Sequence, residues 1–415
     1  MTAPQTGRRD LAIIAFTAFM NFIGLTLAIP IFTPLCLGQA GNILPADASM
    51  PLRTTILGLL LGVFPLCQFF TSPLLGALSD RWGRKKILLY AIAGSCGGYL
   101  IMAVGILAGS LPLVFVSRII SGCFSGSLAV TQSAIADLSD EKTRPKNFGL
   151  LGAAFGVSLF IGPALGGFLS DPGVHAGFTF ATPFWLAAFL TGINFLQVVW
   201  FFSETLPPSR RRQVAFHLLV GPINIARAFA TPAYRRMFLV VLAFFFGFNF
   251  FTQFFQVYLL KKFSVSGSQL GIILSYMGIW SILTQALLVR PVSKRFTSRQ
   301  VLPVSLLLMA FSFTALLMVP QFWLLFPVLI FIPLFNGLSN PNLTALVCGL
   351  AGERNQGEIL GINQSVMAMA QFVPPLIGGY IVGLHFTLPL WIAFASTLLA
   401  WILFLRTRDG KAPAP

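Results

Sequence analysis

Twelve apolar runs separated by short polar connections dominate the chain: residues 11–35, 54–75, 86–107, 112–136, 148–169, 182–203, 237–260, 267–289, 301–319, 322–349, 359–382 and 389–405. Each is roughly 20 residues long, enough for a helix to cross about 30 Å of hydrocarbon. Lipid offers the backbone no hydrogen-bond partners, so each run is expected to be a helix that satisfies its own peptide groups. The pattern predicts an all-α polytopic membrane protein with twelve transmembrane helices.

The second half repeats the first. Phe148-Gly149-Leu-Leu-Gly, leading to Gly162-Pro163-Ala-Leu-Gly166-Gly167, aligns with Leu360-Gly361-Ile-Asn-Gln, leading to Pro374-Pro375-Leu-Ile-Gly378-Gly379. The preceding loops match as well, Asp140-Glu141-Lys142 against Gly352-Glu353-Arg354. A parallel repeat of six helices predicts two pseudo-symmetric bundles, residues 1–203 and 237–415, with a site between them near the midplane. Residues 204–236 then form a cytoplasmic connection. Phe216, Leu219, Ile223 and Phe229 can make one apolar face of a helix lying on the membrane surface, with basic residues toward anionic lipid. A plain tether, with His217 merely interfacial, is the alternative.

Composition agrees with a membrane chain: 56% of residues are hydrophobic and 9% charged, against about 25% charged in soluble domains. The formal charge of +16 does not point to nucleic acid, because the basic residues sit in alternate loops and not along one face. With the N-terminus in the cytoplasm, 23 of the 27 Lys and Arg residues are cytoplasmic. Arg53, Lys261 and Lys262 face the other side and Arg118 lies within a span. This bias predicts that both termini are cytoplasmic. Arg8-Arg9 precedes an apolar run too long for a cleaved signal, so that run is expected to remain as the first helix. Cys36, Cys67, Cys96, Cys123 and Cys348 show no C-x-x-C spacing and read as packing residues.

The stretch from Leu74 to Ile87 joins the second and third runs through Gly76-Ala-Leu-Ser-Asp80-Arg81-Trp-Gly83-Arg84-Lys85-Lys86. It contains no nucleophile, His or metal-ligand set. A positive-inside anchor would explain its basic residues, but not Gly76, Asp80 and Gly83 at these spacings, which suggest a gate element. This stretch resembles the G-x-x-x-D-R-x-G-R-[KR] signature of the major facilitator superfamily. Arg118-Ile-Ile-Ser-Gly122 through Ala134-Ile-Ala-Asp137, the fifth-run Gly-Pro-x-x-Gly-Gly, and Ser203-Glu204-Thr-Leu-Pro extend the resemblance to the drug:proton antiporters, tetracycline exporters among them. The resemblance implies the twelve-helix facilitator fold and a charge network of Asp80, Arg81 and Arg84 with Asp137 that closes the cytoplasmic side. Asp137 is expected within reach of Arg81, and Gly76 is expected to allow close helix approach. The resemblance also assigns Gly149, Gly162, Pro163, Gly166 and Gly167 to a helix at the bundle interface; packing and a rocking hinge both fit the residues.

The interior chemistry is unusual for an antiporter. Arg118 is the one ionisable residue placed deep in a helix; it faces a cavity or solute, or ties down backbone carbonyls. No Asp or Glu falls mid-membrane. Where tetracycline exporters carry an acid in the first helix this chain has Asn21, which cannot titrate. The spans carry amides instead: Asn21, Asn249, Gln253, Gln256, Asn336 and Asn340 lie on helices that line the cavity in the superfamily. Each is a helix–helix contact or part of a polar substrate surface. The Phe244–Phe251 run is expected to face mostly lipid or packing, with two rings toward the cavity. No Ser-His-Asp set, His-rich metal site or phosphate loop is visible, so an enzyme is not expected.

The expected function is secondary transport of a small organic solute by rocker-switch alternating access, as an efflux antiporter. The alternative is a facilitator or importer of a polar or anionic solute, such as an organic acid or a metal chelate, without proton antiport. No cofactor or metal is implied, and the coupling ion is left open. The expected partners are the solute and the bilayer, the chain a monomer in a bacterial inner membrane.

Overall fold

The structure, a computed structural model, describes residues 3–38, 43–139, 144–211, 219–349 and 356–407. Among these, eleven helices are long and apolar enough to cross a membrane; a further helix carries a shorter apolar stretch at Ala154–Phe168. Two compact units are resolved, Met1–Val220 with Val265–Ser275, and Gly221–Ser264 with Tyr276–Pro415.

In the first unit the helices are α1 (Ala3–Thr26), α2 (Ile29–Leu37), α3 (Met50–Trp82), α4 (Arg84–Leu107), α5 (Leu111–Phe124), α6 (Ser127–Asp137), α7 (Arg144–Phe168) and α8 (Thr182–Phe201). Prolines near the first turns of α2, α3, α5 and α8 mark starts where a missing N–H has no cost. The first span is therefore two helices end to end, broken at Leu27–Ala28 before Pro30.

α1 packs on α7 and α8, α4 on α5 and α8, and α3 on α5 and α6. The buried cluster between them includes Ile14, Leu88, Ala134, Ile135, Val198 and Phe202. In lipid such contacts are held by close van der Waals packing, which favours small residues at crossings. At Gly105 an added Cβ would lie 2.9 Å from the Leu113 Cβ, and at Gly94 and Gly98 it would run into Phe124 and Ser121. These glycines set the α4–α5 distance.

The second unit contains α9 (Val220–Ala230), α10 (Pro232–Phe263), α11 (Gly267–Leu283), a π-helical turn (Thr284–Leu288), α12 (Val289–Arg295), α13 (Ser298–Met318), α14 (Leu325–Leu329), α15 (Phe331–Cys348), α16 (Gln356–Leu384) and α17 (Leu388–Arg406). The start of α11 belongs to the first unit. α10 packs on α16 and α17, and α13 on α15 and α17. Of the two environments expected for the Phe244–Phe251 run, lipid and packing, Phe244, Phe250 and Phe251 take the second and are buried. Phe251 lies 5.2 Å, centroid to centroid, from Phe313 of α13. A helix of 32 residues against two neighbours needs bulky filler, and adjacent rings supply it.

α9 is tied to α16 by Asn224 Nδ2, which donates to Ser365 Oγ at 3.3 Å. Leu219 and Ile223 are exposed, while Gly221 and Ala228 are buried. Phe216 and His217 lie outside the described residues.

Candidate functional site

The charged turn is built around a single residue. α3 ends at Trp82, α4 begins at Arg84, and Gly83 between them takes φ +99° and ψ 152°, a region only glycine enters without strain. An added Cβ would also collide with the Glu204 carboxylate, its Cδ 2.9 Å away. The tight reversal turns Arg84 inward, its side chain only 7% exposed.

Arg84 organises the cluster. Its Nη1 meets Asp80 Oδ1 at 2.6 Å and donates to Ser79 Oγ at 2.6 Å, while its Nε donates to Asp137 Oδ2 at 3.0 Å. Thr205 Oγ1 also donates to Asp137 Oδ2, at 3.3 Å. Of the cations expected to join Asp137, Arg84 does so here, turned inward by the restart of the helix at Gly83. All members of this cluster belong to the first unit.

Glu204 is the residue that sequence reasoning assigned no role. Its Oε1 accepts the Arg84 N–H at 2.9 Å and the Leu206 N–H at 3.0 Å, and its Oε2 accepts the Lys85 N–H at 3.3 Å. It thereby supplies the carboxylate that α4 lacks in its own first turn, satisfying orphan donors and the positive end of the helix dipole. Reciprocally, Lys85 Nζ donates to the Val199 carbonyl near the end of α8 at 2.9 Å. Its sequence signals were its place in Ser203-Glu204-Thr-Leu-Pro and an α4 start without cap or acid.

Gly76 does not behave as expected. A Cβ there would touch only the Ala129 Cβ, at 3.9 Å, an ordinary contact. Close approach instead occurs on α7. A Cβ at Gly162 would meet Thr26, with the Leu27 N–H 3.2 Å away; at Gly166 it would meet the Leu27 carbonyl and the Pro30 ring; at Gly167 it would lie 2.6 Å from the Gly267 carbonyl. Pro163 interrupts the backbone ladder here. Nearby carbonyls accept side-chain hydroxyls, Ser158 from Thr26 Oγ1 and Phe160 from Ser275 Oγ, each at 2.9 Å. Gly149 lies further back along α7.

Arg118 is 4% exposed. Its Nε donates to the Leu60 carbonyl at 3.1 Å, and its Cζ lies 4.5 Å from the Phe64 ring centroid and 5.1 Å from that of Phe32. Its terminal nitrogens make no hydrogen bond to protein, and no carboxylate pairs with it, among the described residues. Placing a cation here costs about 3 kcal/mol by insertion scales. Two rings at roughly 0.5–2 kcal/mol each, with one charge-assisted bond of about 1.5–3 kcal/mol, offset that. Arg118 therefore needs no solute to be stable, yet keeps donors for one.

The amides divide between the units. Asn21 Nδ2 donates to the Thr17 carbonyl at 3.0 Å and Asn21 Oδ1 accepts from Ser127 Oγ at 2.9 Å, a helix–helix contact within the first unit. Asn249 Nδ2 donates to its own helix at Phe245 O, 2.8 Å. Gln253 is half-buried and Gln256 buried. Among the described residues Asn336 Oδ1 is buried with no hydrogen-bond partner, and the Asn340 backbone carbonyl accepts from Thr344 Oγ1 at 3.1 Å. No hydrogen bond joins Asn249 or Gln253 to Asn336 or Asn340 among the described residues.

Comparison with known proteins follows the same lines. The family model of the Major Facilitator Superfamily matches residues 14–288 and 237–415. The chain is 28% identical over 408 residues to the class C tetracycline resistance protein of Escherichia coli, covering 95% of this chain and 93% of that protein. It is 26% identical over 410 residues to the quinolone resistance protein NorA of Staphylococcus aureus (strain COL), covering 97% and 98%. Among solved structures, a D-xylose-proton symporter superposes with a TM-score of 0.73 at 15% identity, covering 96% of each chain. The human organic anion transporter MFSD10 gives 0.71 at 20% identity, covering 96% of this chain and 99% of that one.

Proposed function

The chain belongs to the Major Facilitator Superfamily, and on that premise we propose that it is an efflux antiporter for a small organic solute, working by rocker-switch alternating access. That it is a multi-pass membrane transporter of the twelve-helix facilitator fold, and not an enzyme, follows from the family itself. The efflux reading is carried by end-to-end similarity to the tetracycline and quinolone resistance proteins. The chain works as a monomer in a bacterial inner membrane, with both termini cytoplasmic and residues 204–236 connecting bundles 1–203 and 237–415.

In this reading Gly76, Asp80, Arg81, Gly83, Arg84 and Asp137 form the cytoplasmic gate, and Glu204 holds the start of α4 in register with it. The support is the shared cation: Arg84 bonds Asp80 and Asp137 at once, so a proton on either carboxylate loosens the same residue. Arg118 and the amides Asn21, Asn249, Gln253, Gln256, Asn336 and Asn340 contact solute, while Gly149, Gly162, Pro163, Gly166 and Gly167 carry the α7 packing seam. Neutralising Asp80 is expected to favour the inward-facing state, read as faster labelling of cysteines introduced at the cytoplasmic mouth.

The deciding experiment uses purified protein in liposomes, with tetracycline and a fluoroquinolone as probes and an imposed pH gradient. Antiport predicts gradient-driven accumulation that collapses with an ionophore; accumulation indifferent to the gradient rejects it. A second reading, a facilitator for an anionic solute, is favoured by the unpartnered terminal nitrogens of Arg118. It predicts anion uptake without a pH gradient that Arg118→Ala abolishes, and uptake unaffected by that change rejects it.

A further inference from the structure

Inside the first unit, α1, α4 and α8 line a small half-open cavity whose polar walls are Thr17, Asn21, Ser95, Tyr99, Thr191 and Asn194. About 10 Å³ of it is open to the centre of a water, roughly the room one water needs. Its walls are too polar for a dry void. Asn194 is 1% exposed and Thr191 3%, yet Asn194 Nδ2 and Thr191 Oγ1 are buried without a protein partner. Ser95 Oγ and Tyr99 Oη likewise make no hydrogen bond to protein among the described residues. A buried polar group left unmade costs about 1–3 kcal/mol, and two such groups, on Thr191 and Asn194, share one cavity.

The Asn194 amide decides what kind of ligand fits. Thr17 Oγ1 lies 2.9 Å from the Ile13 carbonyl and 3.1 Å from Asn194 Oδ1, but a hydroxyl has one proton to donate. If Thr17 donates to Ile13, the amide turns its nitrogen to Thr17 and leaves its oxygen over; otherwise the nitrogen is left over. Either way a ligand that can both donate and accept satisfies the remaining end. A cation can only be accepted by oxygens, and no carboxylate lines the cavity to offset its desolvation.

We propose that the first unit holds a resident water at this site, bound by Thr191 and Asn194 of α8 and by Ser95 and Tyr99 of α4, against Thr17 of α1. The water adds a joint among three helices, of which α1 and α8 already meet at Thr17 and Asn194 and α4 and α8 at Lys85 and Val199. It sits beside Asn21, whose amide bonds α6 through Ser127.

The test is the sign of a near-isosteric change. Thr191→Val removes the hydroxyl and keeps the shape. With water present it deletes one of the water's partners and lowers the Tm of the purified transporter by about 2–4 °C; Thr191→Ser restores the hydroxyl and most of that loss. In a dry cavity the same change removes an unsatisfied hydroxyl, and a raised Tm overturns the proposal. Melting the wild type in sodium chloride against choline chloride provides a second arm: a rise specific to sodium overturns water in favour of a cation. A density map that resolves ordered waters should show one peak within hydrogen-bond distance of Thr191 and Asn194, and a map with none overturns the proposal directly.

Discussion

Asp137→Asn is expected to destabilise the protein more than Asp80→Asn, although Asp80 makes the shorter contact to Arg84, 2.6 Å against 3.0 Å. The reasoning rests on solvent. The Asp80 side chain is 43% exposed and that of Asp137 24%. Unit charges about 4 Å apart interact by roughly 1 kcal/mol in water and roughly 4 kcal/mol at the effective dielectric of a protein surface region. Exposed pairs measure about 0.2–1 kcal/mol after entropy and screening, which sets the scale for Asp80. Asp137 accepts from both Arg84 and Thr205 in a drier position, and a charge-assisted bond there is worth about 1.5–3 kcal/mol. At roughly 2–4 °C per kcal/mol for a unit of this size, Asp137→Asn should lower the Tm by about 3–12 °C and Asp80→Asn by about 0.4–4 °C. Thermal unfolding in detergent, followed by tryptophan fluorescence, reads both, and double-mutant cycles with Arg84→Gln isolate the pair terms. Salt near 1 M, where the screening length is about 3 Å, should shrink the Asp80 term most. An Asp80 loss equal to or larger than the Asp137 loss refutes the argument.

Other perturbations test the remaining geometry. Gly83→Ala should cost about 2–3 kcal/mol, through backbone strain and displacement of Glu204, whereas Gly76→Ala should be nearly neutral; equal Tm losses would contradict the structure. Gly162→Ala, which drives a methyl into Thr26, should lower Tm and expression more than Gly76→Ala, and size-exclusion profiles of the two variants check it. Tyr258→Phe removes the bond from a buried hydroxyl to the Leu316 carbonyl, 2.6 Å, and takes a partner from Lys262, 2.9 Å. A loss of about 1–2 kcal/mol is expected, and it should be less than additive with Lys262→Met; additive losses would show that the two act separately.

The spans were legible because an apolar run of membrane length has one stable conformation in lipid. The break at Leu27–Ala28 was not, since Pro30 alone does not reveal whether a helix kinks or stops. The charged turn was located by its spacing, but its pairing was hidden. A glycine at positive φ re-aims everything after it, so the inward turn of Arg84 onto Asp137 does not show in the spacing. Glu204 stood in a recognisable stretch, but its role as a cap was hidden, because the helix it caps begins 120 residues earlier in the chain. Gly76 and Gly162 look alike in sequence; only the neighbours show that one is loosely packed and the other pressed against Thr26. For the amides, depth was readable and partners were not, as Asn21 and Ser127 demonstrate.

The Glu204 cap also orders assembly in time. Helices enter the membrane as they are made, so α4 is complete while the carboxylate that caps it has yet to be synthesised. At about 5–20 residues per second, the 120 residues separating Arg84 from Glu204 correspond to a wait of roughly 6–24 s. Through that interval the first turn of α4 has water or lipid headgroups for partners. The charged turn can lock only when α8 has emerged, so the first six spans are sealed by their last residues and not by their first contacts.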